Sequence, residues 1–367
     1  MKIIHTSDLH LGSKLTSNLD PLKAKDRRFE ILHNFNRLLN DAKKQNVDVL
    51  IIAGDLFDTE KITKHCFNEV LSAINNFSDI DIIYLVGNHE KTAFIDLIDV
   101  LPNNLKAVCQ DDWQSFKYTD NDKNIVISCA GLTKANNGLI YNTLFLNPDD
   151  INIVVLHGQI ANTKADDSAE IIDLRQLKNK NIDYLALGHY HFYDKGIIDD
   201  RGIYAYSGCL EGRGFDETGD KGYLFIDTNN IKEPKFVKFS KRTLYEVNVD
   251  ISGLQTWTEI KKSVLDKIDD IGSENLVKVV LKGELDYTDN VDNVIYVDEL
   301  DKLLNDRFYF AKVYNQVTIK INPYAYQNGS GIRAEFIKSV LCDGNLTETD
   351  KNEIIQYGLK ALKGDDL

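Results

Sequence analysis

The run Leu50–Asp58, LIIAGDLFD, narrows the folds open to this chain more than any other stretch. Leu50, Ile51, Ile52 and Ala53 are apolar without alternation, the pattern of a strand buried on both faces of a parallel sheet. Gly54 then lets the backbone turn and presents Asp55. The arrangement recurs. Lys2–Ser7 leads into Asp8-Leu9-His10, Asp81–Val86 into Gly87-Asn88-His89-Glu90, Ile151–Leu156 into His157-Gly158, and Ile182–Leu187 into Gly188-His189-Tyr190-His191. Asn124–Ala130 is a further apolar run. Five of the eight histidines (His10, His89, His157, His189 and His191) fall at such ends, which random placement would not give. Buried parallel strands imply an α/β fold, and α/β sheets keep their ligands beyond the carboxyl ends of the strands. Asp8 and His10, two apart in an extended segment, are expected to face one side and converge.

The chain has 367 residues, 43% hydrophobic and 27% charged, enough for one large domain and one or two small ones. MKIIHTSDLH carries no apolar segment of secretory length, and no run approaches the roughly 20 residues of a membrane span. A cytoplasmic protein without a membrane partner is expected. Five scattered cysteines, with no CxxC pair, read as reduced thiols rather than as a disulfide or zinc framework. The net charge of −14 bears on nucleic acid. Non-specific grip on phosphates comes from Lys and Arg, so a nucleic-acid substrate would be held by bound cations, a few local basic residues or a partner.

Between the strands, Lys23–Lys44 has helical periodicity, with Phe29, Leu32, Phe35, Leu38, Leu39 and Ala42 on its apolar face, and Lys64–Phe77 is a second helix. His33 and His65 read as structural. Ile203–Ser207 and Tyr223–Ile226 flank the glycine-rich, charged loop Gly208–Gly222, and loops this long in a compact domain are commonly functional. Past Phe236–Val249 the ligand-type residues stop clustering. Helix and strand then alternate through Leu254–Ile271, Leu276–Leu285, Val297–Asn305 and Phe308–Ile321. This predicts a large domain over residues 1–240, a small α+β domain over 245–328 and two helices over 329–367. From Tyr245 onward there are 14 Lys and Arg against 22 Asp and Glu, a poor composition for an independent grip on DNA. Gly331–Leu341 is the first terminal helix. Thr347-Glu348-Thr349-Asp350 resembles a capping box that starts the second, Asp350–Lys363. The sequence leaves open whether this hairpin packs on its own domain or on a partner.

Collected, the strand-end ligands are Asp8, His10, Asp55, Asn88, His157, His189 and His191. Asp55, with two oxygens, is suited to bridge two cations, leaving three further ligands for each. A mixed imidazole, carboxylate and amide set favours Mn, Fe, Co or Zn over Mg or Ca. Two such ions would stabilise the attacking and leaving oxygens of an in-line displacement at phosphorus. Phosphate-ester hydrolysis asks for a barrier reduction toward the top of about 8–23 kcal/mol, and one acid or base supplies only roughly 3–5 kcal/mol. His89 is therefore expected to act as general acid beside the metals rather than as the whole catalyst, with Asp58 or Glu90 orienting it. Arg213 and Lys221, together with Arg27 and Arg28, are candidate phosphate contacts. Tyr190 is a candidate to stack a nucleobase, although core packing suits the Tyr190-His191-Phe192-Tyr193 run better.

DLH, GD, GNHE, His157-Gly158 and GHYH, in this order and spacing, resemble the calcineurin-like metallophosphoesterase superfamily. Within it, HTSDLHLG at His5–Gly12 and AGDLFD at Ala53–Asp58 are similar to the SbcD-type nucleases and the related meiotic-recombination nucleases. The resemblance covers roughly residues 1–225. It implies a two-sheet α/β sandwich, a DNA-capping α+β domain, and C-terminal helices that dock on an SbcC-type SMC-like coiled-coil ATPase. It further implies two Mn²⁺, one held by Asp8, His10, Asp55 and His191 and the other by Asp55, Asn88, His157 and His189, with His89 as the catalytic histidine. DNA exonuclease and endonuclease action in repair and recombination, and a homodimer, belong to the same expectation. Phosphatases of the superfamily share GNHE but pair it with GDxVDRG; here the run is GDLFDTE, without that Arg, which argues for a diester. Two alternatives stand beside this reading: a phosphodiesterase for small substrates such as cyclic nucleotides, and a non-catalytic scaffold with a structural metal site.

Overall fold

A computed structural model describes residues 1–15, 19–109, 111–134, 136, 139–161, 171–254, 256–286, 297–320 and 331–363. The expected domain boundary at 328–329 and the end of the expected strand at Ile321 lie outside the described residues. Two compact units divide the chain, Met1–Leu244 and Tyr245–Leu367.

The first unit runs β1 (Lys2–Thr6), α1 (Pro21–Lys44), β2 (Val49–Ala53), α2 (Lys64–Asn76), β3 (Asp81–Leu85), α3 (Ala93–Asp96) and β4 (Leu105–Val108), then β5 (Gln114–Asp120), β6 (Lys123–Cys129) and β7 (Ile151–His157). It continues with β8 (Gln159–Ile160), β9 (Ile171–Ile172), α4 (Leu174–Leu177), β10 (Tyr184–Gly188), β11 (Asp194–Ile197), β12 (Ile203–Tyr206), β13 (Gly222–Asp227) and β14 (Lys235–Lys238). One six-stranded sheet has the order β14-β13-β1-β2-β3-β4, the other β11-β12-β10-β7-β6-β5. β1 through β4 are parallel, as are β6, β7, β10 and β12; antiparallel pairing is confined to β13 and β14 on one side of the first sheet and to the edge strands β5 and β11 of the second. All functional strands of both sheets therefore point the same way within their sheet.

The layers follow from side-chain alternation. Ile3, Val49, Ile51, Ala53, Ile83 and Leu85 from one sheet meet Ile125, Ile127, Ile153, Val155, Tyr184 and Ala186 from the other, all without exposed surface. The opposite face of the first sheet, through Ile4, Leu50, Ile52, Ile82 and Tyr84, is covered by Ile31, Phe35, Leu38 and Leu39 of α1 and Val70 and Ile74 of α2. Val154, Leu156, Leu185 and Leu187 of the second sheet pack under Ile140, Tyr141, Leu144 and Leu177. A buried parallel sheet needs such cover on both faces, and the result is the two-sheet sandwich.

Asp20 starts α1 by accepting the Leu22 and Lys23 amides at 3.0 Å each, with Pro21 in the first turn and Lys43 and Lys44 in the last. Phe29 does not join its apolar face and is 55% exposed, its ring tilted 33° to that of His33 with centroids 4.0 Å apart. At about 100° per residue it lies with Leu22 and His33 roughly 120–180° round from the Ile31, Phe35 and Leu38 stripe.

In the second unit, β15 (Leu244–Asp250), which begins at the last residue of the first unit, α5 (Trp257–Lys267), β16 (Leu276–Lys282), β17 (Glu284–Asp286), α6 (Val297–Arg307), β18 (Phe310–Asn315) and β19 (Thr318–Lys320) form a three-stranded sheet β15-β16-β18 and a β17-β19 pair. Val249, Ile251, Ile260, Val264, Val277, Val279, Leu300 and Leu304 fill a core of its own. α7 (Ile332–Cys342) and α8 (Glu348–Lys363) pack through Ala334, Ile337 and Ile355. Thr347 Oγ1 accepts the Asp350 amide at 3.2 Å and Asp350 Oδ2 accepts the Thr347 amide at 3.1 Å, the reciprocal capping the sequence pattern predicts. No helix among the described residues is long and apolar enough to cross a membrane.

Candidate metal centre

Five strand ends bring the polar residues together. Asp8 and His10 follow β1, Asp55 follows β2, Asn88 and His89 follow β3, His157 closes β7, and His189 and His191 follow β10. Glycines let the two sheets approach closely here. A Cβ on Gly54 (φ 91°) would lie 2.0 Å from His157 Nδ1, and one on Gly188 would lie 1.8 Å from the Ala53 carbonyl oxygen.

The backbone is bent to aim these side chains. Asp8 (φ 53°), His10 (46°), Asp55 (53°) and His189 (94°) all take the left-handed region, where a non-glycine residue stores about 1–3 kcal/mol of strain. Asp8 and His10 therefore do not converge as alternate residues of an extended strand, as expected from sequence. β1 ends at Thr6, and two left-handed turns swing them inward. A ladder of amides holds the bend: Asp8 N donates to the Gly54 carbonyl (3.1 Å), His10 N to the Asp55 carbonyl (3.0 Å) and Leu11 N to the Leu56 carbonyl (2.9 Å).

Ligand-capable atoms of Asp8, His10 and His191 lie within 4.8 Å of one another, as do those of Asp8, Asp55 and His157. His10 Nε2 is 3.2 Å from His191 Nε2 and 3.8 Å from Asp55 Oδ2. His157 Nε2 is 3.4 Å from Asp55 Oδ2 and 3.1 Å from Asn88 Oδ1. The His189 ring stands perpendicular to that of His157, centroids 5.4 Å apart, while its amide donates to both Asp8 oxygens at 3.0 and 3.1 Å. Ser7 Oγ donates to Asp8 Oδ2 at 2.5 Å and meets Ser207 Oγ at 2.9 Å.

The donor set fits divalent transition metals. His157 Nδ1 donates to the Ala53 carbonyl (2.8 Å) and His191 Nδ1 to Glu217 Oε1 (2.7 Å), which leaves each Nε2 as the inward lone pair. In the metal-free chain a proton competes for one of these lone pairs. Burial works against a charge on His157, yet Asp55 outweighs it and raises the imidazole to about 10. Asp55, which burial would push up, is instead held well below the carboxylate range by His157, His10 and His89. Burial keeps His10 and His189 below the usual histidine range, so they offer neutral nitrogens. Asp55 thus draws positive charge to its oxygens, supplied in the metal-free chain by His157, while His10 and His189 stay neutral.

His89 sits at the rim with its side chain 45% exposed, Nδ1 donating to the backbone carbonyl of Asp58 (3.0 Å) and Nε2 3.9 Å from Asp55 Oδ2. This corrects the expected pairing with a carboxylate. The Asp58 carboxylate turns elsewhere, to 2.8 Å from Arg213 Nη1 and 3.4 Å from His10 Nδ1. Glu90 turns away altogether. Its Oε1 accepts the Tyr84 hydroxyl (2.6 Å) and the amides of Leu56 (3.1 Å) and Gly87 (3.2 Å) in the core.

Of the candidate substrate contacts, Arg213 and Arg28 line a groove of about 1050 Å³ with Lys14, Lys61 and His89. Lys221 is not available: it is buried, with Nζ donating to the His191 carbonyl (2.8 Å) and 3.6 Å from the centre of the Phe192 ring. Arg27 is also buried, between Glu30 and Glu211 at 2.8 Å each. Tyr190 is exposed rather than a core residue, edge-on to Tyr206. Sequence reasoning did not single out Glu217 or Ser7. The long loop points to its region, but no local pattern selects Glu217, whose contact with His191 spans 26 residues.

Residues 1–193 match the family model of the calcineurin-like phosphoesterases. The DNA double-strand break repair protein Mre11 of Saccharolobus solfataricus is 23% identical over 393 residues, covering 100% of this chain and 96% of that protein. The protein of the same name from Methanosarcina acetivorans is 25% identical over 83% of this chain, which spans about half (48%) of that relative's length. Among solved structures, a dimetal phosphatase from Danio rerio aligns with 61% of this chain and 91% of its own at 10% identity and a TM-score of 0.44. The family match takes in each of the seven ligand-type residues and His89, and the chain belongs to the calcineurin-like phosphoesterases.

Proposed function

We propose that this protein is a metal-dependent nuclease that hydrolyses phosphodiester bonds in DNA, with two Mn²⁺ as its cofactors. One observation carries the reading. Aspartate and histidine ligand atoms crowd within 4.8 Å at the strand ends of a chain that aligns over its whole length with a DNA double-strand break repair protein. Asp8, His10, Asp55 and His191 would hold one ion, and Asp55, Asn88, His157 and His189 the other. When bound, such a pair neutralises phosphoryl charge and stabilises the oxygens of in-line displacement.

The chain's own residues supply the rest. The Asp58 carbonyl accepts from Nδ1–H and fixes the His89 ring, so that as an imidazolium it can give the second proton, on Nε2, to the leaving oxygen and become a neutral imidazole. Lys14, Arg28 and Lys61 offer phosphate-binding cations along a groove that Asp58, Glu60, Asp216 and Glu217 also line, so the bound metal ions would supply the charge that holds a phosphate backbone there. A groove suits a polymer strand better than the enclosed pocket a cyclic nucleotide needs. Exonuclease and endonuclease action in repair, in the cytoplasm, follows from this reading. The second unit would serve as a DNA-capping module. α7 and α8, with Ile332 and Tyr357 exposed, would dock on an SMC-like ATPase.

The test compares two variants. His89→Ala is expected to keep metal and lose turnover on linear duplex and single-stranded DNA with Mn²⁺, whereas Asp55→Ala loses both. Cleavage of an aryl diester without any cutting of DNA would turn the reading toward a small-substrate phosphodiesterase.

A further inference from the structure

Two of the histidines that crowd around Asp8 present their Nδ1 atoms away from the ligand cluster, toward carboxylates. His191 Nδ1 donates to Glu217 Oε1 at 2.7 Å, and His10 Nδ1, fully buried, finds Asp58 Oδ1 as its facing oxygen at 3.4 Å. Glu217 and Asp58 are 159 positions apart by number and come from different loops. One side chain joins them. Arg213 Nη1 donates to Asp58 Oδ1 at 2.8 Å, and Nη2 donates to Glu217 Oε1 at 2.8 Å. Arg213 Nε reaches the same Glu217 oxygen at 3.2 Å, and its amide donates to Glu217 Oε2 at 2.7 Å.

We infer that Arg213 is a positioning residue: it cross-links the two outer carboxylates that orient His10 and His191 and so builds the ion position of Asp8, His10 and His191. This rests on the proposed metal centre. Planar guanidinium geometry is what the task requires. A fork of fixed nitrogens holds two carboxylates at a set spacing, where a single ammonium would pull both to one point. Without the guanidinium, Asp58 and Glu217 face each other as like charges; Asp58 loses its Nη1 donor, and Glu217 Oε1 loses the Nε and Nη2 donors while Oε2 keeps the residue-213 amide. The imidazoles they support then lose tautomer and ring orientation, and outer partners of this kind are worth about 10–100-fold in metal affinity. With three of its nitrogens bonded to carboxylates, Arg213 is less free to grip a substrate phosphate than Lys14 or Lys61 in the same groove.

The experiment uses the full chain in two states. In metal-free protein, ¹⁵N-edited NMR of the imidazoles is expected to show a hydrogen-bonded Nδ1–H on His191 that disappears or shifts upfield in Arg213→Gln and in Glu217→Ala, and survives in Lys61→Ala. In titrations with Mn²⁺ alone, followed by electron paramagnetic resonance of free ion, Arg213→Gln is expected to weaken one class of site by about 10–100-fold and leave the other unchanged. Arg213→Lys should recover only part. An unchanged His191 Nδ1–H in Arg213→Gln, or unchanged Mn²⁺ binding with only a raised KM for DNA, overturns the assignment and makes Arg213 a substrate contact. Failure of the wild-type protein to bind Mn²⁺ would count against the proposed function, while the metal-free NMR comparison still decides the role of Arg213.

Discussion

Glu90 offers the sharpest stability test, because the structure gives it a different task from the one its place beside His89 suggests. It is fully buried, and three donors converge on its Oε1: the Tyr84 hydroxyl, the Leu56 amide and the Gly87 amide. Those amides belong to the two turns that carry Asp55 and Asn88, so Glu90 pins both loops to the core. Replacing it with Ala orphans all three donors. Each buried unsatisfied donor costs about 1–3 kcal/mol, and partial collapse of the site places the sum at the lower end, roughly 3–5 kcal/mol. For a domain of this size that lowers Tm by about 10 °C. Glu90→Gln keeps an accepting oxygen of the same reach and removes a charge that Asp55 opposes, but sets an amide NH2 where Oε2 has no partner, so it should lose about 1–3 kcal/mol and stay more stable than the Ala variant. Burial and the neighbouring Asp55 charge raise the Glu90 carboxyl to about 7, so loss of its charge alone costs little at neutral pH. The assay is urea unfolding of EDTA-treated protein at neutral pH. An Ala variant within 1 kcal/mol of wild type, or a Gln variant as damaged as the Ala variant, refutes the reasoning.

Gly54→Ala should disorganise the site without help from chemistry. Its Cβ would meet His157 Nδ1 at 2.0 Å in a left-handed residue, so loss of Mn²⁺ binding at the His157 position is expected by calorimetric titration. Lys221→Met removes the donor to the His191 carbonyl and should weaken Mn²⁺ binding, whereas a direct phosphate role would raise only KM for DNA. Acid stability should report Glu30. Burial would raise its carboxyl, but hydrogen bonds from Arg242, Lys241 and Arg27 outweigh this and bring it to about 2 from the ordinary 4.5. Its contribution is therefore present above pH about 4.5 and lost as pH falls toward about 2. Urea titrations across that range should show wild type and Glu30→Gln converging at the acid end.

Much of the first unit was legible because strands buried on both faces cannot alternate, and runs such as Leu50–Ala53 and Ile153–Leu156 announce themselves. The polar residues after them share one edge because parallel strands all end there. Nothing local shows how the chain aims them. Asp8 and His10 look like alternate residues of a strand, yet left-handed turns held by the Gly54 and Asp55 carbonyls direct them. Phe29 has the i,i+3 spacing to Leu32 but lies across the helix from the Ile31, Phe35 and Leu38 stripe, and so stays exposed. The partners of His89, His191 and Glu90 were the least readable. They depend on contacts across 31, 26 and 34 positions, where a backbone carbonyl, an unremarked glutamate and two amides replace the carboxylate pairings that sequence proximity suggests. Lys221 and Arg27 show the same limit in reverse: a basic residue in a functional loop or helix reads as a phosphate contact until burial and a partner are known.

The central claim is a paired metal centre, and counting its ions tests it most directly. Protein stripped with chelator, replenished with Mn²⁺ and crystallised should show two anomalous peaks about 4 Å apart, one against Asp8, His10, Asp55 and His191 and one against Asp55, Asn88, His157 and His189. A single peak, or none, in folded and fully replenished protein would contradict the account.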